Sequence, residues 1–143
     1  MEWSAQYIGI PFAADGASRA GANCWGLVHL VLKEQCGIAT PTYDAISADE
    51  LIAAARQFRT SAVAEPWIRV TTQPRRAFDV VLMHAMASED GGGRSRVPGH
   101  VGILIDASRL LHVWEKCDAV VMSLDHPRIR HRIVDFYRHR ELT

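Results

Sequence analysis

The chain has 143 residues, 48% of them hydrophobic and 22% charged, and its 16 basic residues balance 16 acidic ones. A chain of this length can bury its own core, so we expect a single domain over residues 1–143. The zero net charge gives no indication of a nucleic-acid partner or of an anionic membrane. No stretch approaches the roughly 20 apolar residues of a membrane span, and the region after Glu2 lacks the apolar run of a secretory signal.

The first half of the chain carries mainly helical patterns. Residues 1–12 predict a short helix or extended arm, and a loop rich in small residues follows over 13–21. An apolar run then predicts a helix over Trp25–Cys36, which Gly37 would end. A Ser-x-x-Glu capping box at its start predicts a second helix over 47–59.

The second half of the chain carries short strand-like segments. Phe78–Met83 predicts the first strand, and a loop over 84–98 with three consecutive glycines follows it. Four more strand candidates follow in order, Val101–Ile105, Leu110–Trp114, Ala119–Leu124 and Ile129–Tyr137. Helices followed by a run of adjacent strands predict an α+β fold, with a mainly antiparallel sheet of about five strands.

Basic side chains cluster near the C-terminus. They are Arg128, Arg130, His131, Arg132, Arg138, His139 and Arg140. We interpret this segment as the solvated edge of the sheet, in preference to a site for a polyanion.

One of the three cysteines is a candidate nucleophile. Cys24 and Cys36 would lie about 18 Å apart on one helix, which is beyond disulfide reach. Cys24 stands where that helix begins, and the unpaired N–H groups there favour a thiolate. We expect Cys36 in the core and Cys117 in a turn. The alternative for Cys24 is inert burial as a small apolar side chain.

Two of the seven histidines fall on strand candidates, His100 at a strand start and His112 within the next strand. An imidazole brought beside Cys24 would complete a nucleophile–base pair. The alternatives are hydrogen-bonded structural histidines, or a zinc site of His100, His112 and Cys117. The zinc site is disfavoured because the chain lacks the close ligand pairs of such sites. We therefore expect no metal and no cofactor.

Other hydrolase and nucleotide-binding signatures are missing from the sequence. No serine stands in a Gly-x-Ser-x-Gly motif. The glycines at 91–93 lack the Gly-Lys-Ser/Thr ending of a phosphate-binding loop.

Several segments, in matching order and spacing, resemble one protein family. They are Tyr7–Phe12, Asn23–Val28, Phe78–Leu82, Gly99–Ile103, Leu110–Val113 and Arg132–Arg138. The chain resembles the NlpC-type papain-like cysteine peptidases, which cut peptidoglycan stem peptides, and particularly the versions encoded with phage tails and gene transfer agents. In that comparison Asn23–Val28 is the nucleophile motif. Gly99–Ile103 is the catalytic-histidine strand, and Leu110–Val113 is the strand with the third polar residue.

The resemblance implies a papain-like fold and a set of catalytic roles. Cys24 would attack an amide carbonyl, His100 would act as general base, and His112 would orient the His100 ring. The Cys24 N–H would stabilise the oxyanion, and a protonated His100 would lower the pKa of the thiol. The implied substrate bond is of the D-glutamyl–diaminopimelate type.

The resemblance also points to Phe12, Asn23 and Trp25 as residues of the substrate site, and two of these depart from the family pattern. Phe12 stands where the family often has a tyrosine, and losing such a donor costs about 10²-fold in rate. Asn23 replaces the usual aspartate before the nucleophile. Tyr7 and Tyr43 are candidates to supply the missing hydroxyl.

The resulting hypothesis is a cysteine endopeptidase at a phage or phage-like tail tip. Its partners would be peptidoglycan stem peptides and other tail-tip or baseplate proteins. It would be made in the bacterial cytoplasm and carried to the wall in the virion, without a signal peptide or membrane insertion. The alternatives are a weak or inactive component that plugs or braces the tail tip, and a cytoplasmic thiol hydrolase or acyltransferase acting on another amide.

Overall fold

The computed structural model describes residues 2–40, 67–84, 98–115 and 117–143. Its regular elements are a 3-10 helix at Trp3–Tyr7, β1 (Ala17–Ser18), β2 (Gly21–Ala22), α1 (Cys24–Cys36), β3 (Trp67–Arg69), β4 (Val80–His84), β5 (Pro98–Leu104), β6 (Arg109–Trp114), β7 (Cys117–Ser123), β8 (Ile133–His139) and a 3-10 turn at Arg140–Leu142. The predicted second helix over 47–59 and the glycine run at 91–93 lie outside the described residues.

Helix α1 is fixed at both ends by backbone chemistry. Asn23 caps the start, where its Oδ1 accepts a hydrogen bond of 2.6 Å from the Gly26 N–H. Gly37 ends the helix in the left-handed region at φ 68°, and its N–H donates to Lys33 O. The predicted helix and its stop are confirmed, with the start one residue earlier, at Cys24 itself.

The predicted α+β fold with a mainly antiparallel sheet is confirmed, but the count of about five strands is wrong. In the described part of the chain, six antiparallel strands form the main sheet in the order β3-β8-β4-β5-β6-β7, and β1 and β2 form a separate two-stranded ribbon. The three additional strands span only two or three residues each. Such short segments carry too little alternation to be seen in the sequence.

Two local expectations in the second half are also wrong. Cys117 begins β7 and does not lie in a turn. Phe78 precedes β4 in the left-handed region, with φ 74°. Its ring stacks on Trp3, with the ring centroids 4.8 Å apart.

The basic C-terminal segment is solvated at Arg128, Arg130, His131 and Arg140, but its part within β8 is not a sheet edge, because β8 lies between β3 and β4. Arg138 is 6% exposed and forms a bidentate ion pair with Asp79, which is fully buried. His139 is also buried, with its ring 5.3 Å from that of Trp67. Long-range strand pairing therefore places part of this charged segment inside the molecule.

The main sheet has two covered faces. Alternate residues of β4, β5 and β6, among them Leu82, Val101 and Leu111, pack with α1 in the larger core cluster. The intervening residues point the other way, and a second cluster forms there from Val81, Met83, Leu104, Leu110, Leu124 and Ile129. Within the described part of the chain, no helix has the length and apolar character needed to cross a bilayer.

Candidate active site

Cys24 is the first residue of α1, and its side chain is only partly buried. The backbone N–H groups of Cys24, Trp25 and Val101 lie close enough to its sulfur to stabilise the thiolate form and lower its pKa in part. Val101 follows His100 directly on β5. The helix start and the strand therefore meet at the sulfur, at the residue next to the predicted base.

The two predicted histidines contact each other. His100 Nε2 lies 2.8 Å from His112 Nδ1, and the ring planes are inclined at 68°. Both residues are buried, with 3% of His100 and none of His112 exposed. Strand alternation puts them on the sheet face of the second cluster, with Leu104 and Leu110.

Gly102 lies between these histidines and leaves room for their packing. A Cβ at this position would lie 3.2 Å from His112 Cβ and 2.7 Å from Leu110 Cδ1. Both distances are tighter than ordinary contacts, so any side chain would push β6 and its imidazole away. The Gly-His-Val-Gly pattern therefore has a packing reason as well as a chemical one.

The electrostatics of the site differ from the sequence expectation of a thiolate beside an imidazolium. Burial raises the pKa of Cys24, although the three N–H groups around the sulfur lower it in part. Burial also lowers the pKa of His100 well below its ordinary value, and His112 and Arg132 act in the same direction. Burial lowers the pKa of His112 to about 4. At neutral pH the site therefore holds a protonated thiol and two neutral imidazoles.

Asn23 and Trp25, two of the three predicted substrate-site residues, have structural contacts. Asn23 uses both ends of its amide, since Nδ2 donates to Ala14 O at 2.9 Å while Oδ1 caps α1. Trp25 is 4% exposed, with its ring 6.5 Å from Trp67. Substrate contact by either residue stays a prediction.

Phe12, the third of these residues, lies against the core close to the helix start. It is partly buried, packs on the larger core cluster and forms a parallel β-bridge with Ala22. Its ring has no hydroxyl to offer a reacting carbonyl. Its role toward substrate stays a prediction.

Tyr7 does not supply the missing hydroxyl. Its hydroxyl donates to Glu34 Oε1 at 2.8 Å and accepts from Gln35 Nε2 at 3.1 Å. Glu34 is ten residues along α1 from Cys24, or about 15 Å at the helical rise. Tyr43, the other candidate, lies outside the described residues.

Met122 on β7 also belongs to this site and was not predicted. Its Sδ lies 3.0 Å from His112 Nε2. The contact depends on the register of β6 against β7, which pairs His112 with Val120 and Leu110 with Met122. No local signal in the sequence reports that register.

A metal site is not formed by the described residues, where no three histidine, cysteine or acidic side chains come together to hold an ion. All three cysteines are described and carry free thiols. Cys36 packs on the larger core cluster while keeping partial exposure.

No protein-family model matches the sequence, and no curated protein is significantly similar to it. Solved structures do match. The fold is that of the NlpC/P60 proteins. The papain-like NlpC-type fold expected from the sequence is thereby confirmed.

Three of these structures show the extent of the likeness. A lipoprotein-like NLP/P60 protein from Staphylococcus aureus has a TM-score of 0.61 and 18% identity, over 95% of this chain and 38% of its own. A Bacillus cereus NlpC/P60 protein has a TM-score of 0.59 and 20% identity, over 95% of this chain and 37% of its own. The NlpC/p60 domain of the peptidoglycan hydrolase SagA has a TM-score of 0.52 and 18% identity, over 94% of this chain and 91% of its own. The chain thus spans less than two fifths of the first two proteins and nearly all of the SagA domain.

Proposed function

We propose that this chain is a cysteine peptidase that hydrolyses amide bonds in peptidoglycan stem peptides. One observation carries the proposal: the Cys24 sulfur, at the start of α1, lies beside the backbone N–H of Val101, the residue that follows His100, and the His100 ring is hydrogen-bonded to His112. The likeness to a domain of a peptidoglycan hydrolase supports the choice of substrate class.

The geometry selects the nitrogen that acts as base. Because His100 Nε2 is engaged with His112, Nδ1 is its remaining ring nitrogen, and since the two imidazoles lie on the sheet face opposite α1, catalysis requires this nitrogen and the Cys24 sulfur to be brought together where β5 begins. His100 is neutral at neutral pH, since burial lowers its pKa, so it can take the proton from Cys24 as the sulfur attacks the carbonyl carbon. The Cys24 N–H then donates to the oxyanion of the tetrahedral intermediate.

The remaining steps return every group to its starting state. As the C–N bond breaks, the imidazolium of His100 gives its proton to the leaving amine, and a thioester on Cys24 remains. Water then attacks the thioester while His100 takes the water proton, and the proton finally returns to the thiolate. The D-glutamyl–diaminopimelate type of bond belongs to the proposal through the resemblance of the motifs.

The proposed setting is the tail tip of a phage or a phage-like particle. The support comes from the sequence, where the nucleophile motif and the closing Arg132–Arg138 segment resemble those of tail-encoded relatives. In that setting, other tail-tip or baseplate proteins would be the partners, and the particle would deliver the protein to the wall.

A second candidate function is a weak or inactive structural component of the tail tip. The Tyr7 hydroxyl is held at the far end of α1, and Phe12 has none, so no donor replaces the family tyrosine among these two residues. Such a protein would keep the fold and the His100–His112 contact without turning over substrate.

The experiment that separates the two is digestion of purified sacculi and a synthetic stem peptide, with products read by mass spectrometry. Wild type should release fragments with a free D-glutamyl carboxylate, and Cys24→Ser should release none. Cys36→Ser is the matched control, because it changes a thiol at the other end of α1, and it should cleave like wild type. Release of no fragments by wild type would favour the structural component.

A further inference from the structure

The chain of ring contacts that begins at His100 ends on a sulfur atom. His112 Nε2 lies 3.0 Å from Met122 Sδ, while His112 Nδ1 faces His100 Nε2 at 2.8 Å. Met122 is partly buried and packs on the second core cluster, on the same face of the sheet as both imidazoles. A thioether has lone pairs and no hydrogen, so it can accept a hydrogen bond and cannot donate one.

The acceptor-only sulfur limits where His112 can carry its proton. A neutral imidazole has one N–H and one bare nitrogen, and His112 is neutral because burial lowers its pKa to about 4. With the proton on Nε2, the N–H points at the sulfur. With the proton on Nδ1, a nitrogen lone pair and a sulfur lone pair face each other across 3.0 Å with no hydrogen between them. The first arrangement is favoured.

We propose that Met122 is a positioning residue that holds the His112 proton on Nε2 and thereby sets the protonated nitrogen of His100. If Nε2 of His112 carries the proton, its Nδ1 is bare and accepts from His100. His100 must then donate from Nε2, which leaves its Nδ1 bare. That is the form of His100 whose Nδ1 can take a proton. The inference rests on the proposed function only where it names the Cys24 thiol as the source of that proton.

The opposite arrangement would disable the base. A proton on His112 Nδ1 would make His100 Nε2 the acceptor and place the His100 proton on Nδ1. A ring protonated there has its bare nitrogen, Nε2, against His112 and presents an N–H to the thiol, so it cannot take the proton. Because sulfur is a weak acceptor, we expect Met122 to bias this equilibrium several-fold, without excluding the minor form.

The test is nuclear magnetic resonance of the full chain with ¹⁵N-labelled histidine, using long-range proton–nitrogen correlations that distinguish bare from protonated ring nitrogens. Wild type at neutral pH should show bare Nδ1 and protonated Nε2 in both rings. A proton on His112 Nδ1 would overturn the proposal, and this measurement needs no variant to fold.

Met122→Leu removes the acceptor at similar side-chain size. We expect a population in which both rings carry the proton on Nδ1, and a kcat lowered about five-fold with KM unchanged, the effect of one ordinary hydrogen bond. Met83→Leu is the matched control, since Met83 is buried in the same cluster and pairs with His100 across β4 and β5. It should leave both rings as in wild type.

Unchanged ring nitrogens in Met122→Leu would overturn the proposal, as would a redistribution of protons that leaves kcat at the wild-type value. Failure of the proposed function is a separate result. If wild type cuts no stem peptide while its rings show the expected nitrogens and respond to Met122→Leu, the peptidase proposal fails and the effect of Met122 on the rings stands.

Discussion

Arg138 holds the carboxylate of Asp79 in a bidentate ion pair, with Nε–Oδ1 at 2.7 Å and Nη2–Oδ2 at 2.9 Å. The pair joins β8 to the residue that precedes β4, its neighbour in the sheet. Further hydrogen bonds run from Arg138 Nη2 to Pro74 O and from the Arg76 N–H to Asp79 Oδ2. The Arg138 guanidinium and the Asp79 carboxylate therefore both have hydrogen-bond partners within the protein.

Removing one member of this pair should be costly. Asp79→Ala leaves the Arg138 guanidinium buried without its counter-ion, and we expect a loss of about 3–5 kcal/mol in the free energy of unfolding. Urea denaturation followed by circular dichroism measures it. Glu2→Ala is the control, because it breaks an ion pair with Arg109 that is exposed at both ends, and it should cost less than about 1 kcal/mol. Similar losses in the two variants would contradict the structural role of the buried pair.

The left-handed backbone at Phe78 gives a second stability test. Phe78→Gly and Phe78→Ala both remove the ring that stacks on Trp3, but only alanine keeps a Cβ at φ 74°. We expect the glycine variant to be more stable than the alanine variant by about 1 kcal/mol. Thermal unfolding of the two proteins side by side measures the difference, and an alanine variant of equal or greater stability would show that no strain resides there.

The neutral state of the site predicts a wide pH range for cleavage. Catalysis needs His100 without its extra proton, so kcat/KM for a stem peptide should fall on the acid side only below the ordinary imidazole pKa of 6.5. On the alkaline side, kcat/KM should change only above pH 9.0, the ordinary pKa of a thiol, because the pKa of Cys24 is raised. An optimum whose two limbs both lie between pH 6.5 and 9.0 would instead show that burial shifts neither pKa outward.

The buried imidazoles should also make folding sensitive to acid. Between pH 6.5 and about 4 the unfolded chain binds a proton at His112 that the folded chain excludes, so stability falls as the pH falls through that range. At about 1.4 kcal/mol for each pKa unit, the loss from His112 is on the order of 3 kcal/mol. The lowered pKa values of His100 and His139 act in the same direction.

Denaturation curves at several pH values check this expectation. His112→Leu should flatten the dependence of unfolding free energy on pH between 6.5 and 4, whatever its effect on stability at neutral pH. His131→Asn, at an exposed position, is the control and should keep the wild-type slope. An unchanged slope in His112→Leu would mean that this imidazole charges in the folded protein.

Local signals explain which parts of the molecule could be predicted from the sequence. Helix α1 was predicted because its apolar face and Gly37 are local features, and all five strand candidates overlap observed strands, β4 to β8, for the same reason. The position of β8 inside the sheet was not predicted, since strand order depends on contacts between distant segments.

The candidate site shows the same division. Motif order placed Cys24, His100 and His112 together in the hypothesis, and the structure brings the two imidazoles into contact and the sulfur to Val101. The protonation states were predicted wrongly, because the effect of burial on the pKa of Cys24 outweighs that of the N–H groups at the helix start. The burial of a side chain depends on distant segments and cannot be inferred from its neighbours in the sequence. The contact between Met122 and His112 was not predicted, because it depends on the register of β7 against β6.

The sulfur of Cys24 is placed by peptide groups of two segments, those at the beginning of α1 and the one at Val101. Any amino acid except proline contributes such a group, whatever its side chain. A substitution at Trp25 or Val101 therefore changes the packing around the site but leaves these N–H groups beside the sulfur wherever the main-chain path is kept.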